Sequence, residues 1–326
     1  MIVGQDRAVA QFAAAWATRK LHHAWLLAGP KGVGKARFAG AAARRVLAEA
    51  AGPAFDLPAL DSPSEHPMVR LVDASSHPDM RLIERLVNEK TGNLTRDITV
   101  EQVRKLGEFM TMSAAMSDWR VVIIDTVDEL AGPGANALLK MLEEPPPNSI
   151  FFLVSHAPGK LLPTIRSRCR RLDFAGLEDG AMTAILGRET PDLSESERRR
   201  IIATAGGSAG RAIAFSALGL AKLEDSALAI LRDGDPTNAK RSELAIELGK
   251  KGSAEKYAAF LDFVPVMIAR EARRLEGHKR ERALDAYAKA RQLAAVAPRV
   301  ALDPGATVFQ MGGILAHVAA APSLKR

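Results

Sequence analysis

The run GPKGVGKA comprises Gly29, Pro30, Lys31, Gly32, Val33, Gly34, Lys35 and Ala36, and it has the glycines and lysine of a loop that wraps phosphate. Glycines let successive backbone N–H groups turn inward around an anion, and a helix starting there adds a favourable dipole. Lys35 would reach the β- and γ-phosphates of a nucleotide, and the next position normally offers a hydroxyl to Mg²⁺. Ala36 has no oxygen to offer. The plain alternative is a glycine turn that leads into a helix.

A second chemical element is RVVIIDTVDEL, an apolar run that sets Asp125 at the end of a strand, where a carboxylate can hold Mg²⁺ through water. The next residue commonly supplies a glutamate that orients the attacking water; here it is Thr126. Loss of such a base costs about 10²–10⁴ in rate. Ser155 ends the apolar run SIFFLVS and could sense a γ-phosphate. TIRSRC holds Arg166 and Arg168, which could fork onto a neighbour's phosphate or form ordinary surface ion pairs. Arg211, in GSAGRA, could reach a nucleotide from a second domain or could be a solvated helix residue. Cys169 is the single cysteine and reads as a small buried hydrophobe.

These residues need a scaffold. HAWLLAG (23–29) reads as a buried strand, and 36–50 as the helix after the loop. Residues 7–19 read as a helix and 51–67 as an irregular connection. Strands are expected at 68–73, 79–86, 120–125, 149–155 and 169–174, and a loop at 88–97. Thr99 with Gln102, and Ser194 with Glu197, form capping boxes that open helices. A helix over 134–144 is stopped by Pro145, Pro146 and Pro147. Strands alternating with helices imply an α/β domain with a parallel sheet. Beyond about residue 175 only helices are expected. The expected domains are 1–174 (α/β), 175–218 (small, helical) and 219–326 (helical).

The chain has 326 residues, 47% of them hydrophobic, enough to fill more than one core. One cysteine excludes an intramolecular disulfide and any multi-cysteine zinc site, and the seven histidines show no paired metal spacing, so no zinc is expected. No signal peptide or membrane-spanning run is visible, which fits a cytoplasmic location with no membrane partner. The net charge of +7 suits an acidic partner such as DNA or simply solvated basic faces.

Together and in order, GQ (4–5), HHAWLLAGPKGVGKA, VVIIDTVDEL, NALLKMLEEPPPNSIFFLVSH, LLPTIRSRC and GSAGRA closely resemble the clamp-loader branch of the AAA+ family. The resemblance is strong over about residues 1–215. It implies a P-loop domain with a parallel sheet, a small helical lid domain and an all-helical collar that forms the oligomer contact. It also implies a pentameric loader that places a ring-shaped sliding clamp on primed DNA. The partners implied are motor ATPase subunits, a clamp-opening subunit, and primer–template DNA and the clamp through the complex. Ala36, Thr126 and the missing zinc-module cysteines depart from the motor subunits and suggest a stator-like member that does not hydrolyse ATP. Whether ATP or ADP binds stays open, and Mg²⁺ would enter only with nucleotide. The arginine of the SRC motif, carried over as Arg168, serves the ATP site of the adjacent subunit. The degenerate site itself would comprise residues 29–36, Asp125, Ser155 and Arg211.

Two other readings compete. One is an active ATPase motor of the same branch, opposed by Ala36 and Thr126. The other is a stand-alone DNA-binding protein, suggested by residues 266–300 with nine Lys/Arg against four Asp/Glu.

Overall fold

The computed structural model describes residues 2–18, 20–53, 55–87 and 94–319. The chain divides into two compact units, residues 1–178 and 179–326.

The first unit runs α1 (Asp6–Ala17), β1 (Ala24–Ala28), α2 (Lys35–Ala51), α3 (Pro67–Asp73), β2 (Met80–Ile83), α4 (Val100–Thr111) and β3 (Arg120–Asp125). It continues with α5 (Gly132–Glu143), β4 (Ser149–Ser155), α6 (Pro163–Arg166) and β5 (Arg170–Asp173). The strands form one parallel sheet in the order β2-β3-β4-β1-β5. Both sheet faces are covered, and its central strands β3 and β4 are apolar between their polar end residues. Trp25, Leu27, Val121, Ile123, Phe152 and Val154 point into the core with α1 and α2. Leu26, Val122, Ile124, Phe151 and Leu153 point into the core with α4 and α5. Phe12 of α1 meets Trp25, Phe38 and Phe152 at ring separations of 5.2, 5.8 and 5.5 Å.

One expected strand is a helix. Residues 68–73 lie in α3, with Pro67 in its first turn and the His66 ring accepting from the Met68 N–H at 3.3 Å. Met68 and Val69 pack on Ala48 of α2. Spacing of Met68, Val69 and Val72 suits one helical face as well as a short strand, and the proline and cap decide the matter. Within the expected loop at 88–97, residues 88–93 lie outside the described residues. The Thr99–Gln102 box is formed: Gln102 N–H donates to Thr99 Oγ1, and Thr99 N–H donates to Gln102 Oε1 at 3.0 Å.

The second unit is helical: α7 (Asp179–Glu189), α8 (Glu195–Ala205), α9 (Ala209–Ala217), α10 (Ala221–Asp233), α11 (Ala239–Leu248), α12 (Ala254–Ala272), α13 (Gly277–Val296) and α14 (Pro304–Ala319). The segments 175–218 and 219–326, separate in the sequence reading, share this unit from residue 179 onward, because α8 and α9 pack on α12. Phe260 and Phe263 are buried edge to face at 5.4 Å, and Phe263 also meets Phe215. Glu224, 3% exposed, receives bonds from Thr204 Oγ1 at 2.6 Å and from the Arg200 and Arg270 guanidinium groups.

Candidate functional site: a phosphate loop with an altered catalytic strand

The parallel sheet brings the loop after β1 beside the C-terminal ends of β3 and β4. Ala28 is in register with Ser155, and Asp125 with Val154. Residues 29–34 join β1 to α2, and Lys35 opens the helix. A side chain at Gly29 would place its Cβ 2.2 Å from the Phe174 carbonyl oxygen, so only glycine fits. Gly34 caps α2 with φ +100°, a conformation that favours glycine. Gln5, 6% exposed, ties the loop down by donating to the carbonyls of Val33 at 3.1 Å and Ala175 at 2.9 Å. The sequence reading noted GQ without giving the glutamine this task.

Lys35 is 3% exposed. Its Nζ donates to the carbonyls of Gly29 at 2.7 Å and Pro30 at 2.5 Å. Burial pushes its pKa down to about 8, while the nearby charges of Asp125 and Asp128 work against that shift. The Lys35 ammonium is thus held against the carbonyls of its own loop.

The catalytic strand end differs. Thr126 Oγ1 donates to Asp125 Oδ1 at 3.2 Å and lies 3.2 Å from His156 Nε2. A hydroxyl has one proton, so with that proton on Asp125 it accepts from Nε2–H. His156 is held neutral: burial and then Lys35 push its pKa down to about 4, against Asp128 and Asp125. Its Nδ1 is buried without a hydrogen-bond partner.

Asp128, which the sequence reading did not select, organises the end of β4. Ser155 Oγ donates to Asp128 Oδ1 at 2.7 Å, and the N–H groups of His156 and Ala157 donate to Oδ2 at 2.5 and 3.3 Å. The only sequence signal was an acid three residues after Asp125. Glu129 is likewise engaged, pairing with Arg85 at 2.8 Å; burial raises its pKa, opposed by Arg85. Both carboxylates thus have protein partners at this strand end.

The donor set therefore fits a phosphate chain: glycine loop, buried lysine and helix N-terminus. It does not fit a complete Mg²⁺ set, since Ala36 brings no oxygen and Asp128 is occupied. No group of three or more His, Cys, Asp or Glu able to hold a metal occurs among the described residues.

Arg168 and Arg211 each have partners within their own unit. Arg168 Nη2 pairs with Glu143 Oε1 at 2.8 Å, and Nη1 donates to the Thr164 carbonyl at 3.0 Å. Arg211 belongs to the second unit, where it donates to Asp262 at 3.2 Å and to the Ala205 carbonyl at 2.6 Å. Cys169 is half-buried, with its thiol pushed up to about 12 by burial.

A parallel sheet with this strand order, carrying a glycine–lysine loop after β1 and an acid-ended strand β3 one strand beyond β4, defines an AAA+ type of P-loop domain. A sequence profile described as "DNA polymerase III, delta subunit" matches residues 4–178, and the chain belongs to that family, in the delta-prime line of the AAA+ clamp-loader branch. It is 36% identical over 188 residues to the DNA polymerase III subunit delta' of Pseudomonas aeruginosa, a match covering 57% of this chain and 53% of that protein. It is 30% identical over 239 residues to the DNA polymerase III subunit tau of Bacillus subtilis, covering 70% of this chain and 39% of that one. The matches thus span about half or less of these relatives' length. A solved DNA polymerase III gamma subunit-related protein from Thermotoga maritima aligns over 96% of this chain and 100% of its own, with 15% identity and a TM-score of 0.43.

Proposed function

We propose that this chain is a stator-like subunit of a DNA polymerase III clamp loader, one that assembles with motor ATPase subunits and does not itself hydrolyse ATP. The observation that carries this reading is Thr126 hydrogen-bonded to Asp125 and close to His156, where a water-activating carboxylate should stand. Ala36 removes the metal hydroxyl, and Asp128 and Glu129 are committed to other partners. The relatives named delta' and tau support membership of the polymerase III assembly.

In this reading the chain holds neighbours in place while they load the sliding clamp onto primed DNA in the cytoplasm. Arg168 supplies positive charge in trans to the ATP site of an adjacent motor subunit, and residues 219–326 form the collar contact. A charge placed so at a γ-phosphate is worth about 10³–10⁵ in rate. Lysine would replace Arg168 poorly, because an ammonium lacks the planar fork.

The test is co-purification with the motor and clamp-opening subunits, followed by DNA- and clamp-stimulated ATPase with the wild-type chain, with Arg168→Ala and with no chain. The expected result is a complex that assembles with Arg168→Ala but turns over less ATP. A chain that fails to join the complex, or an Arg168→Ala complex as active as wild type while Arg166→Ala fails, contradicts the reading.

A further inference from the structure

We propose that Glu143 is the positioning residue for Arg168, fixing the direction in which its guanidinium is presented to a neighbouring subunit; this rests on the trans role given to Arg168 above. Arg168 is anchored at two points. Nη2 pairs with Glu143 at the last turn of α5, and Nη1 donates to the Thr164 carbonyl in α6. A guanidinium has five N–H donors in a rigid fork. Two bonds leave three donors for an oxyanion, so the group is both held and available. Arg166 is the contrast: it is exposed, and its guanidinium has no hydrogen bond or ion pair among the described residues. Ordering a side chain without such anchors costs rotamer entropy.

Stability does not account for a carboxylate at position 143. Glu143 is the last residue of α5, and Glu144 caps it. The C-terminal end of a helix carries partial negative charge and favours cations. The ion pair itself is half in solvent, with side chains 35% and 48% exposed, a setting in which such pairs add little to folding. Its consequence is orientation. After Glu144, the run Pro145, Pro146 and Pro147 prevents α5 from continuing, so Glu143 sits on a well-defined helix terminus.

The experiment uses the reconstituted complex and measures kcat and KM for ATP with clamp and primed DNA present. Glu143→Ala is expected to lower kcat by about tenfold to a hundredfold, the effect of a misplaced group, with KM little changed. Glu143→Gln keeps an oxygen acceptor for Nη2 and is expected to stay within about threefold of wild type. The double variant Glu143→Ala, Arg168→Ala should be no slower than Arg168→Ala alone, because Glu143 acts only through Arg168. Melting curves of the single-variant chains are expected to match wild type. If Arg168→Ala is slow and Glu143→Ala is at wild-type rate or faster, the positioning role is wrong while the trans role stands. Glu143→Gln as slow as Glu143→Ala, or a double variant much slower than Arg168→Ala, also overturns it. If Arg168→Ala itself has no effect, the functional reading fails instead.

Discussion

Ser155 at the end of β4 donates its hydroxyl to Asp128 across 2.7 Å, joining residues 27 apart in the chain. The same carboxylate accepts the N–H groups of His156 and Ala157. Ser155 is fully buried, so removing its acceptor orphans a hydroxyl and two amides. The buried hydroxyl costs about 1–3 kcal/mol, and the amides of the half-buried His156 and Ala157 cost less because water reaches them. Asp128→Ala is expected to destabilise the first unit by about 2–4 kcal/mol, and Ser155→Ala by about 1 kcal/mol. All three tryptophans, Trp16, Trp25 and Trp119, lie in that unit, so tryptophan fluorescence in urea reads its unfolding separately. An Asp128→Ala midpoint equal to wild type would contradict the assignment.

The proposed absence of hydrolysis should be robust to partial repair. The isolated chain is expected to show no ATP turnover, and neither Ala36→Thr nor Thr126→Glu alone should create it, because each leaves the other deficit. Thr126 is 7% exposed and bonded to Asp125, so a glutamate there must also displace its neighbours. A steady-state rate of about 1–10³ s⁻¹ that Lys35→Ala abolishes would show an active motor.

Lys35 should titrate far below ordinary lysines. Its folded pKa is about 8 against 10.5, because burial disfavours the ammonium. Between these values the unfolded chain binds more protons than the folded one, so stability attributable to Lys35 rises as pH climbs from 8 to 10.5. Below that window both states are protonated and the penalty is constant. Asp125→Asn removes a stabilising negative charge and is expected to lower the Lys35 pKa further. Heteronuclear NMR of the lysine Nζ and Cε sites checks both directions; an Nζ titrating near 10.5 would show that the amine is hydrated.

Much of this site was legible in the sequence, and the reasons for the gaps are physical. Glycine spacing, Lys35 and the apolar run ending in Asp125 are local signals, and the sheet sets the loop after β1 and the end of β3 at the same edge. The tasks of Gln5 and Asp128 depend on partners at Ala175 and Ser155, which spacing along the chain does not reveal. The α3 helix was misread because four apolar residues in six, Met68, Val69, Leu71 and Val72, satisfy either period. Arg211 was legible as a cation near a helix start, yet its partner Asp262 is 51 residues away. Phe260, Phe263 and Met267 of α12 are all buried inside the second unit.

That burial separates two kinds of substitution in the second unit. Phe263 is 1% exposed and packs edge to face on Phe215 and Phe260. Truncation to alanine removes apolar contact and leaves a cavity, so Phe263→Ala should cost about 3–5 kcal/mol. Glu224→Ala should cost a similar about 3–5 kcal/mol, because it strips a buried acid from Arg270 and Thr204. Leu284 on α13 is 53% exposed, and Leu284→Ser should change stability by no more than about 0.5 kcal/mol. Thermal unfolding followed by far-ultraviolet circular dichroism measures all three, since this unit is helical throughout. If the proposed collar uses solvent-facing apolar positions, Leu284→Ser paired with Ile246→Ser, 65% exposed, should weaken co-purification with the other loader subunits while the melting curve stays put. Phe263→Ala should instead lose assembly only in step with unfolding. A folded double-serine chain that joins the complex at full affinity would remove these positions from the contact, and a Phe263→Ala chain that melts like wild type would remove Phe263 from the core.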